Sequence, residues 1–237
     1  MADFSKRSTE AEMMDDFNLG PETINPIMDE LEVINRLLGG YAVFFNAFNT
    51  LNLKNDMIIS DWGCGGGDSL RVLVRWARKK RLNLRFVGVD ATATAIDYAR
   101  NKSVDFPEIS YLHGDVFSPE LSEDQFDIVL SSLFTHHFKD SEWIALMQKM
   151  LKCSRYAVVV NDLHRHWFAY HSIGALTKAF SKSKMVKHDS QLSVLRGFKR
   201  AEIERMLAEA GITNYRLKWK WAFRWELILF KQEHASI

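Results

Sequence analysis

Between residues 57 and 160 five short apolar runs recur: MIIS (57–60), RFVGV (85–89), EISYL (108–112), FDIVL (126–130) and YAVVV (156–160). Helix-like or turn-plus-helix stretches follow each of the first four. Short continuous apolar runs are the pattern of strands covered on both faces, and strands joined through helices lie parallel, since only a crossover can return the chain to the same end of a sheet. This excludes a helical bundle and an antiparallel sandwich, and predicts an α/β fold with helices on both sheet faces. The alternation breaks after residue 162 and resumes with a helix over Lys199–Ala210, stopped by Gly211. ITNYRLKWKW and FRWELILF then follow closely enough to form an antiparallel hairpin.

The residues outside this core have their own signals. Asn25-Pro26 opens a segment in which Ile27, Leu31, Ile34, Leu37 and Leu38 keep helical spacing, and Gly39-Gly40 ends it. A second, aromatic helix is expected over Tyr41–Leu51. Residues 1–50 carry three basic and nine acidic side chains, a net of −6, whereas residues 163–225 carry thirteen basic and four acidic, a net of +9. The total of +1 therefore gives no general attraction to nucleic acid or membrane, yet hides a dipolar chain. With 47% hydrophobic residues in 237, the chain can bury a core and is not intrinsically disordered. No repeat or linker divides it. One domain over 1–237 is expected, made of a helical cap (1–52), a ligand-binding core (53–162), a lid (163–198) and a terminal helix with a hairpin (199–237). Two cysteines, Cys64 and Cys153, are too few for a disulfide framework and suit a reducing cytosol; no secretory leader or spanning segment is recognised, so a cytoplasmic location is expected.

The chemistry concentrates at strand ends. IISDWGCGGGDSLRVLVRWA places Asp61, Gly63, Cys64, Gly65, Gly66 and Gly67 between the first strand and a helix, where glycine permits positive φ and close ligand approach. A dinucleotide fingerprint would need glycine at 68 or 70, which are Asp68 and Leu70. An acid at the helix mouth suits an ammonium or sulfonium instead. Asp90, ending the second strand in VGVDAT, can accept from both hydroxyls of a ribose, with Ala91 beside it. In LHGDVF, Asp115 can accept from an exocyclic amine while the Val116 backbone reads an adenine edge. Ser132 lies at the end of the fourth strand.

Together these strings resemble the class I S-adenosylmethionine-dependent methyltransferases, whose first motif is matched by Asp61-Trp62-Gly63-Cys64-Gly65-Gly66-Gly67, with Asp90 23 residues after Gly67 and Asp115 at the adenine-contacting place. The resemblance covers roughly residues 55–160 and the final hairpin. It implies a Rossmann-like sheet of seven strands with the last antiparallel, S-adenosyl-L-methionine as cofactor, and a small-molecule acceptor. The layout is similar to methyltransferases of quinone, polyketide and other secondary-metabolite pathways, which implies oxygen or carbon methylation of an aromatic or lipid-like acceptor. Two other readings are a nucleotide-dependent oxidoreductase, opposed by Asp68, and a protein that binds the cofactor without turnover.

An acceptor hydroxyl would benefit from a base, and histidine is the usual one. His136 and His137 follow the fourth strand; His164 follows the fifth, beside Asp162, which could orient an imidazole, and Arg165, which could hold an acceptor's anionic group. His136, His137, Asp162, His164 and His166 contain enough donors for a metal, but no metal-ligand spacing, so none is expected. The run Lys178, Lys182, Lys184, Lys187, Arg196, Lys199 and Arg200, against Asp189 alone, suggests an acceptor bearing negative charge, free or on a carrier. Nucleic acid is not expected: Ser131-Ser132-Leu133-Phe134 lacks the prolines of base-modifying enzymes of this fold. Tyr41, Phe44, Phe45, Phe48, Trp167, Phe168 and Tyr170 are candidates to line an apolar acceptor pocket.

Overall fold

A computed structural model describes residues 2–16 and 19–231; residue 1, residues 17 and 18 of the expected cap and 232–237 of the expected terminal segment lie outside the described residues. Seven strands, β1 (Ile58–Trp62), β2 (Arg85–Asp90), β3 (Ile109–His113), β4 (Phe126–Ser132), β5 (Ser154–Leu163), β6 (Tyr215–Lys220) and β7 (Arg224–Phe230), form one sheet in the order β3-β2-β1-β4-β5-β7-β6. The first five are parallel to their neighbours, while β7 runs antiparallel to both β5 and β6. Strand order reverses between β1 and β4, which leaves a crevice above their carboxyl ends, the place where open α/β sheets take ligands.

The helices α1 (Pro21–Leu37), α2 (Ala42–Leu51), α3 (Asp68–Lys80), α4 (Ala93–Lys102), α5 (Asp140–Cys153), α6 (Trp167–Phe180), α7 (Lys184–Arg196) and α8 (Arg200–Glu209) cover the sheet and its mouth. In α3, Leu70, Leu73, Val74 and Ala77 recur at helical spacing, and all are buried; Arg78, Lys79 and Lys80 fill the last turn, where cations complement the helix dipole. One core lies between the sheet and α5 and α8, with Trp143, Met147 and Met206 at its centre. The other lies beneath α2 and α3, with Phe44, Phe48, Leu70 and Phe86.

Three expectations are corrected. First, α1 begins at Pro21, not at Asn25-Pro26: Pro21 takes the first helical position, where no N–H is needed, and Pro26 lies inside the helix. Second, residues 114–125 between β3 and β4 contain turns but no helix, as Gly114, Pro119 and the Asp/Ser-rich sequence would impose. Third, the polar half of the lid is a full helix, α7, packed on α6, with Gln191 against Gly174 and Gln191 Nε2 donating to the Tyr170 carbonyl at 3.3 Å.

Part of the charge asymmetry is met within the molecule. The acidic N-terminal strap, residues 2–16, lies against the basic lid: Ser8 N donates to the Leu195 carbonyl at 3.0 Å, and Arg196 reaches Asp15 at 2.9 Å and Glu12 at 3.9 Å. Asp189, the acid of the basic stretch, turns inward and accepts from the backbone N–H groups of Met13 and Met14, each at 3.0 Å. Among the described residues no helix is long and apolar enough to cross a membrane.

Candidate active site

The strand-end strings open into one cavity of about 630 Å³, within the usual range for small-molecule sites. Its floor is the loop after β1. Gly63, Gly65 and Gly67 have φ of 70°, 48° and 70°, and a Cβ on Gly63 would overlap the Phe134 ring. The N–H groups of Gly63 and Cys64 both donate to the Val89 carbonyl, at 2.8 and 3.1 Å, which fastens the loop to β2. Asp90 then locks the loop from the other side: Oδ2 accepts from Gly65 N and Oδ1 from Thr92 N, both at 2.9 Å. Asp90 also lines the cavity, and an ionised carboxylate can accept more than one hydrogen bond on each oxygen.

Two buried charges at this end are incompletely satisfied. Asp61 is 1% exposed and its Oδ1 has no hydrogen-bond partner. Burial, with the added repulsion of Asp68 and Asp90, pushes its pKa up to about 8. Arg224 is 2% exposed; Nη2 donates to Asn35 Oδ1 at 3.2 Å, while Nε and Nη1 have no partner. Burial lowers its pKa to about 10, so it stays cationic. Asn35 links the two poles, since its Nδ2 donates to Asp68 Oδ2 at 3.2 Å, beside the Tyr41 hydroxyl at 2.7 Å. Unsatisfied carboxylate oxygen and unsatisfied guanidinium in one chamber match a ligand that carries an ammonium and a carboxylate.

The far end of the cavity is built on a 3-10 turn, Thr135–His137, that follows β4. His136 Nδ1 lies 2.7 Å from Asp162 Oδ1, and Asp162 Oδ2 accepts from Thr135 Oγ1 at 2.7 Å and His136 N at 3.1 Å. The other ring nitrogen, Nε2, has no hydrogen-bond partner and lies 3.4 Å from Glu12 Oε1. His137 repeats the arrangement, with Nδ1 2.7 Å from Asp15 Oδ1 and Nε2 4.0 Å from Glu12 Oε2. Burial alone would lower the His136 pKa, but Asp162 and Glu12 outweigh it and raise the value to about 9. Burial would raise Asp162 and Glu12, and their imidazole partners hold both below the usual carboxylate range instead, Asp162 at about 2.

A family model described as a methyltransferase domain matches residues 59–156, which span the glycine loop, Asp90, Asp115 and the His136–His137 turn. Residues 59–156 thus match a methyltransferase domain. Solved structures share its fold at low identity. The plantazolicin methyltransferase BpumL in complex with SAH is 18% identical, with TM-score 0.64 and 89% of each chain covered. A SAM-dependent methyltransferase from Aquifex aeolicus is 15% identical, with TM-score 0.62, 90% of this chain and 99% of that one. Magnesium protoporphyrin IX methyltransferase from Synechocystis PCC 6803 with bound SAH is 13% identical, with TM-score 0.57, 83% and 85%. No curated protein matches the sequence. S-adenosylmethionine is the cofactor of the methyltransferase, and the cradle is compatible with it: glycines where a Cβ would intrude, a carboxylate at the end of β2, and opposite unpartnered charges in one chamber.

The methyltransferase brings most of the sequence-derived site together. Asp61, Gly63, Cys64, Gly65, Asp90, Ala91, Asp115, Val116, Ser132, His136 and His137 all line the cavity. Gly67 does not: it precedes α3 and lies so close to Tyr111 that a Cβ would strike the phenol. Asp115 also caps its own turn, accepting from Phe117 N at 2.8 Å. Asp162 sits behind His136, outside the lining. Arg165 and His164 are corrected. Arg165 stands two residues beyond the end of β5; its guanidinium is spent on Glu202 at 2.5 Å and on the Gly197 and Phe4 carbonyls, and does not line the cavity. His164 faces the other way, its ring 5.0 Å from that of Trp225, and burial lowers its pKa to about 4. His166 stacks on Phe223 at 4.9 Å, so the five-residue donor group read along the chain is not one cluster. None of the seven proposed aromatic liners reaches the cavity: Phe44 and Phe48 are core, and Trp167 and Phe168 are exposed on the outer face of the lid. Met14, Leu31, Ile34, Leu133, Phe134 and Phe138 form its apolar wall instead. The lid lysines do not line it either, and Arg196 is buried in the strap–lid contact. Glu12, Asp15, Asp189 and Arg224 were not anticipated. Their only sequence signals are acids spaced by three in the strap, one acid in a basic run, and a charge inside the apolar FRWELILF.

Proposed function

We propose that the methyltransferase transfers a methyl group to an oxygen, or to an enolisable carbon, of a small acceptor with an apolar or aromatic body and an acidic hydroxyl. The observation that carries this reading is the composition of the cavity. One end is a nucleoside and amino-acid cradle, the middle is apolar, and the other end is a carboxylate with two imidazoles, Glu12, His136 and His137. When bound, the cofactor supplies an electrophilic sulfonium methyl. Asp90 and the glycine loop fix the sugar, Asp61 and Arg224 take the two charges of the amino-acid end, and Asp115 with Val116 faces the base. The apolar wall from α1, the β4 loop and the lid excludes water and aligns the acceptor, work worth about 7–11 kcal/mol when the reacting atoms are held in line.

At the far end the acceptor's hydroxyl meets one carboxylate and two imidazoles, a group able to take or displace its proton. Glu12, His136 and His137 would receive the acceptor's proton, while the apolar wall would hold its oxygen or carbon in line with the methyl group that the cofactor would supply. Asp162 and Asp15 hold the two rings in place and fix which nitrogen faces the acceptor. The carboxylates Glu12 and Asp15 line the acceptor end and no lid lysine does, so the reading favours an acceptor neutral in its resting form over the carrier-bound anion suggested by the lid lysines. Cys64 and Cys153 are buried free thiols, which fits a cytoplasmic setting. A screen of phenols, enols and hydroxylated lipids with methyl-labelled S-adenosylmethionine, read by product mass, tests the proposal. Labelled product only from amines or nucleic acid would overturn it.

A further inference from the structure

We propose that Glu12, His136 and His137 form a binding site for a first-row divalent transition-metal ion at the acceptor end of the cavity. The donor atoms converge. Glu12 Oε1 is 3.4 Å from His136 Nε2 and Glu12 Oε2 is 4.0 Å from His137 Nε2, and one ligand atom from each residue can be chosen so that all lie within 4.8 Å of one another. Bonds of about 2.0–2.2 Å to a zinc-like ion leave ligand atoms roughly 3–3.5 Å apart, so a contraction of about 1 Å completes the set.

A second, independent observation is the orphaned nitrogen. His136 is 2% exposed, and its Nε2 has no hydrogen-bond partner although it points at Glu12. A buried polar atom left in this way requires an occupant. Both histidines also have the outer-sphere arrangement that metal-bound imidazoles use: each Nδ1 is 2.7 Å from a carboxylate, Asp162 for His136 and Asp15 for His137. That contact fixes the ring and raises the basicity of the opposite nitrogen. A hydroxyl-activating base needs one such pair, and here two converge on one carboxylate. Charge points the same way. Glu12, Asp15, Asp162 and the adjoining Asp189 are four carboxylates, while Arg196 is the one guanidinium among the described residues in direct contact with any of them. Carboxylates therefore outnumber the guanidinium around the three donors. Two imidazoles and one carboxylate select Zn²⁺, Mn²⁺, Co²⁺ or Fe²⁺ over the all-oxygen preference of Ca²⁺.

The site faces the cavity with the ion's remaining positions open. An acceptor oxygen bound there would ionise more readily, as metal-bound water does. That consequence rests on the methyl-transfer reading, but ion binding itself does not.

The test uses the full chain, stripped with a chelator and titrated with Zn²⁺ or Mn²⁺ by calorimetry, with metal content measured after dialysis. One ion per chain is expected. Glu12→Gln and His137→Asn are expected to weaken binding at least about a hundredfold, and Asp15→Asn about ten- to a hundredfold. The affinity of each variant for S-adenosylmethionine should stay within threefold of the parent, which separates loss of the ion from loss of the fold. An anomalous-scattering peak between the three side chains in Zn²⁺-soaked crystals gives the same answer without any variant. Failure to retain an ion by protein that binds the cofactor, ion affinity unchanged in Glu12→Gln and His137→Asn, or a peak elsewhere would overturn the proposal. Methyl transfer that proceeds undiminished in stripped enzyme would sink only the acceptor-activation consequence, and absent methyl transfer with intact ion binding would count against the methyl-transfer reading alone.

Discussion

The clearest quantitative consequence of the cofactor cradle is that binding should expel a proton from Asp61. In the empty site, burial and the neighbouring Asp68 and Asp90 raise the pKa of this carboxyl to about 8, so at pH 7 it is about 90% protonated. An ammonium or sulfonium brought beside it favours the ionised form and lowers the pKa by roughly 1–3 units. At the upper end of that range the bound carboxyl has a pKa near 5, and binding at pH 7 releases about 0.9 proton. The sign follows: the ionised form is the one that holds the ligand, so affinity rises with pH up to about tenfold per unit and levels off above the free-state value of about 8. The empty protein shows the complement. Its folded state binds the proton more tightly than the unfolded chain does, so it loses stability as pH climbs from about 4 to 8. Calorimetry of S-adenosylhomocysteine binding at pH 7, in phosphate and in Tris, reads the proton count from the slope of apparent enthalpy against buffer ionisation enthalpy. A slope near 0.9, falling toward zero in Asp61→Asn, is expected. A slope below about 0.2 in the parent, or one unchanged by Asp61→Asn, would refute the placement of the ligand's cation at Asp61.

Three further outcomes follow from the same geometry. Asp90→Ala should weaken S-adenosylmethionine binding by about 1–3 kcal/mol through lost charge-assisted bonds, and unchanged affinity by calorimetry would remove the ribose role. Arg224→Met should raise the Kd for S-adenosylhomocysteine about 10- to 150-fold, the equivalent of 1.5–3 kcal/mol. It should leave 5′-methylthioadenosine, which lacks the carboxylate, within threefold; equal losses for both ligands would mean that Arg224 serves the fold instead. Gly63→Ala combines positive φ with overlap on Phe134, worth about 2–5 kcal/mol in strain and overpacking. It should lower Tm by about 5–15 °C, and an unaltered melting curve would show that the loop has room to spare.

Legibility along the chain followed how local each determinant is. The five parallel strands were readable because each is a short run of apolar side chains bounded by turns, and the Gly63–Gly67 loop because its requirements are met by neighbours in sequence: the strand before it, the helix after it, and Asp90 at the next strand end. What misled was orientation. Asp162, near the end of β5, and His164, just beyond it, stand two apart in sequence yet make different contacts, since Asp162 reaches His136 while His164 packs on Trp225. Arg165 looked like an anion receptor because it stood among histidines. In the fold its neighbours are Glu202 of α8 and two carbonyls, all far away in sequence. The aromatic residues of α2 were readable as a helix face, but that face turns toward Leu70 and Phe86 in the core and not toward the cavity.

The two ends of the cavity therefore differ in how they are encoded. The cofactor end rests on the contiguous stretch 59–156 that the methyltransferase family model matches. Asn35, Tyr41 and Arg224 come from elsewhere and surround its charged pole. The acceptor end is assembled from four separated segments: the strap with Glu12 and Asp15, the β4 turn with His136 and His137, Asp162 near the end of β5, and α7 with Asp189 and Arg196. Asp162 and His136 pair within the β4–β5 core, whereas Glu12, Asp15, Asp189 and Arg196 meet only where the strap lies on the lid. Part of the opposite charge of the N-terminus and lid is thus used in one internal contact, through Arg196 with Glu12 and Asp15. The polarity left over inside that contact, three carboxylates and two imidazoles around Arg196, is what the acceptor has to meet.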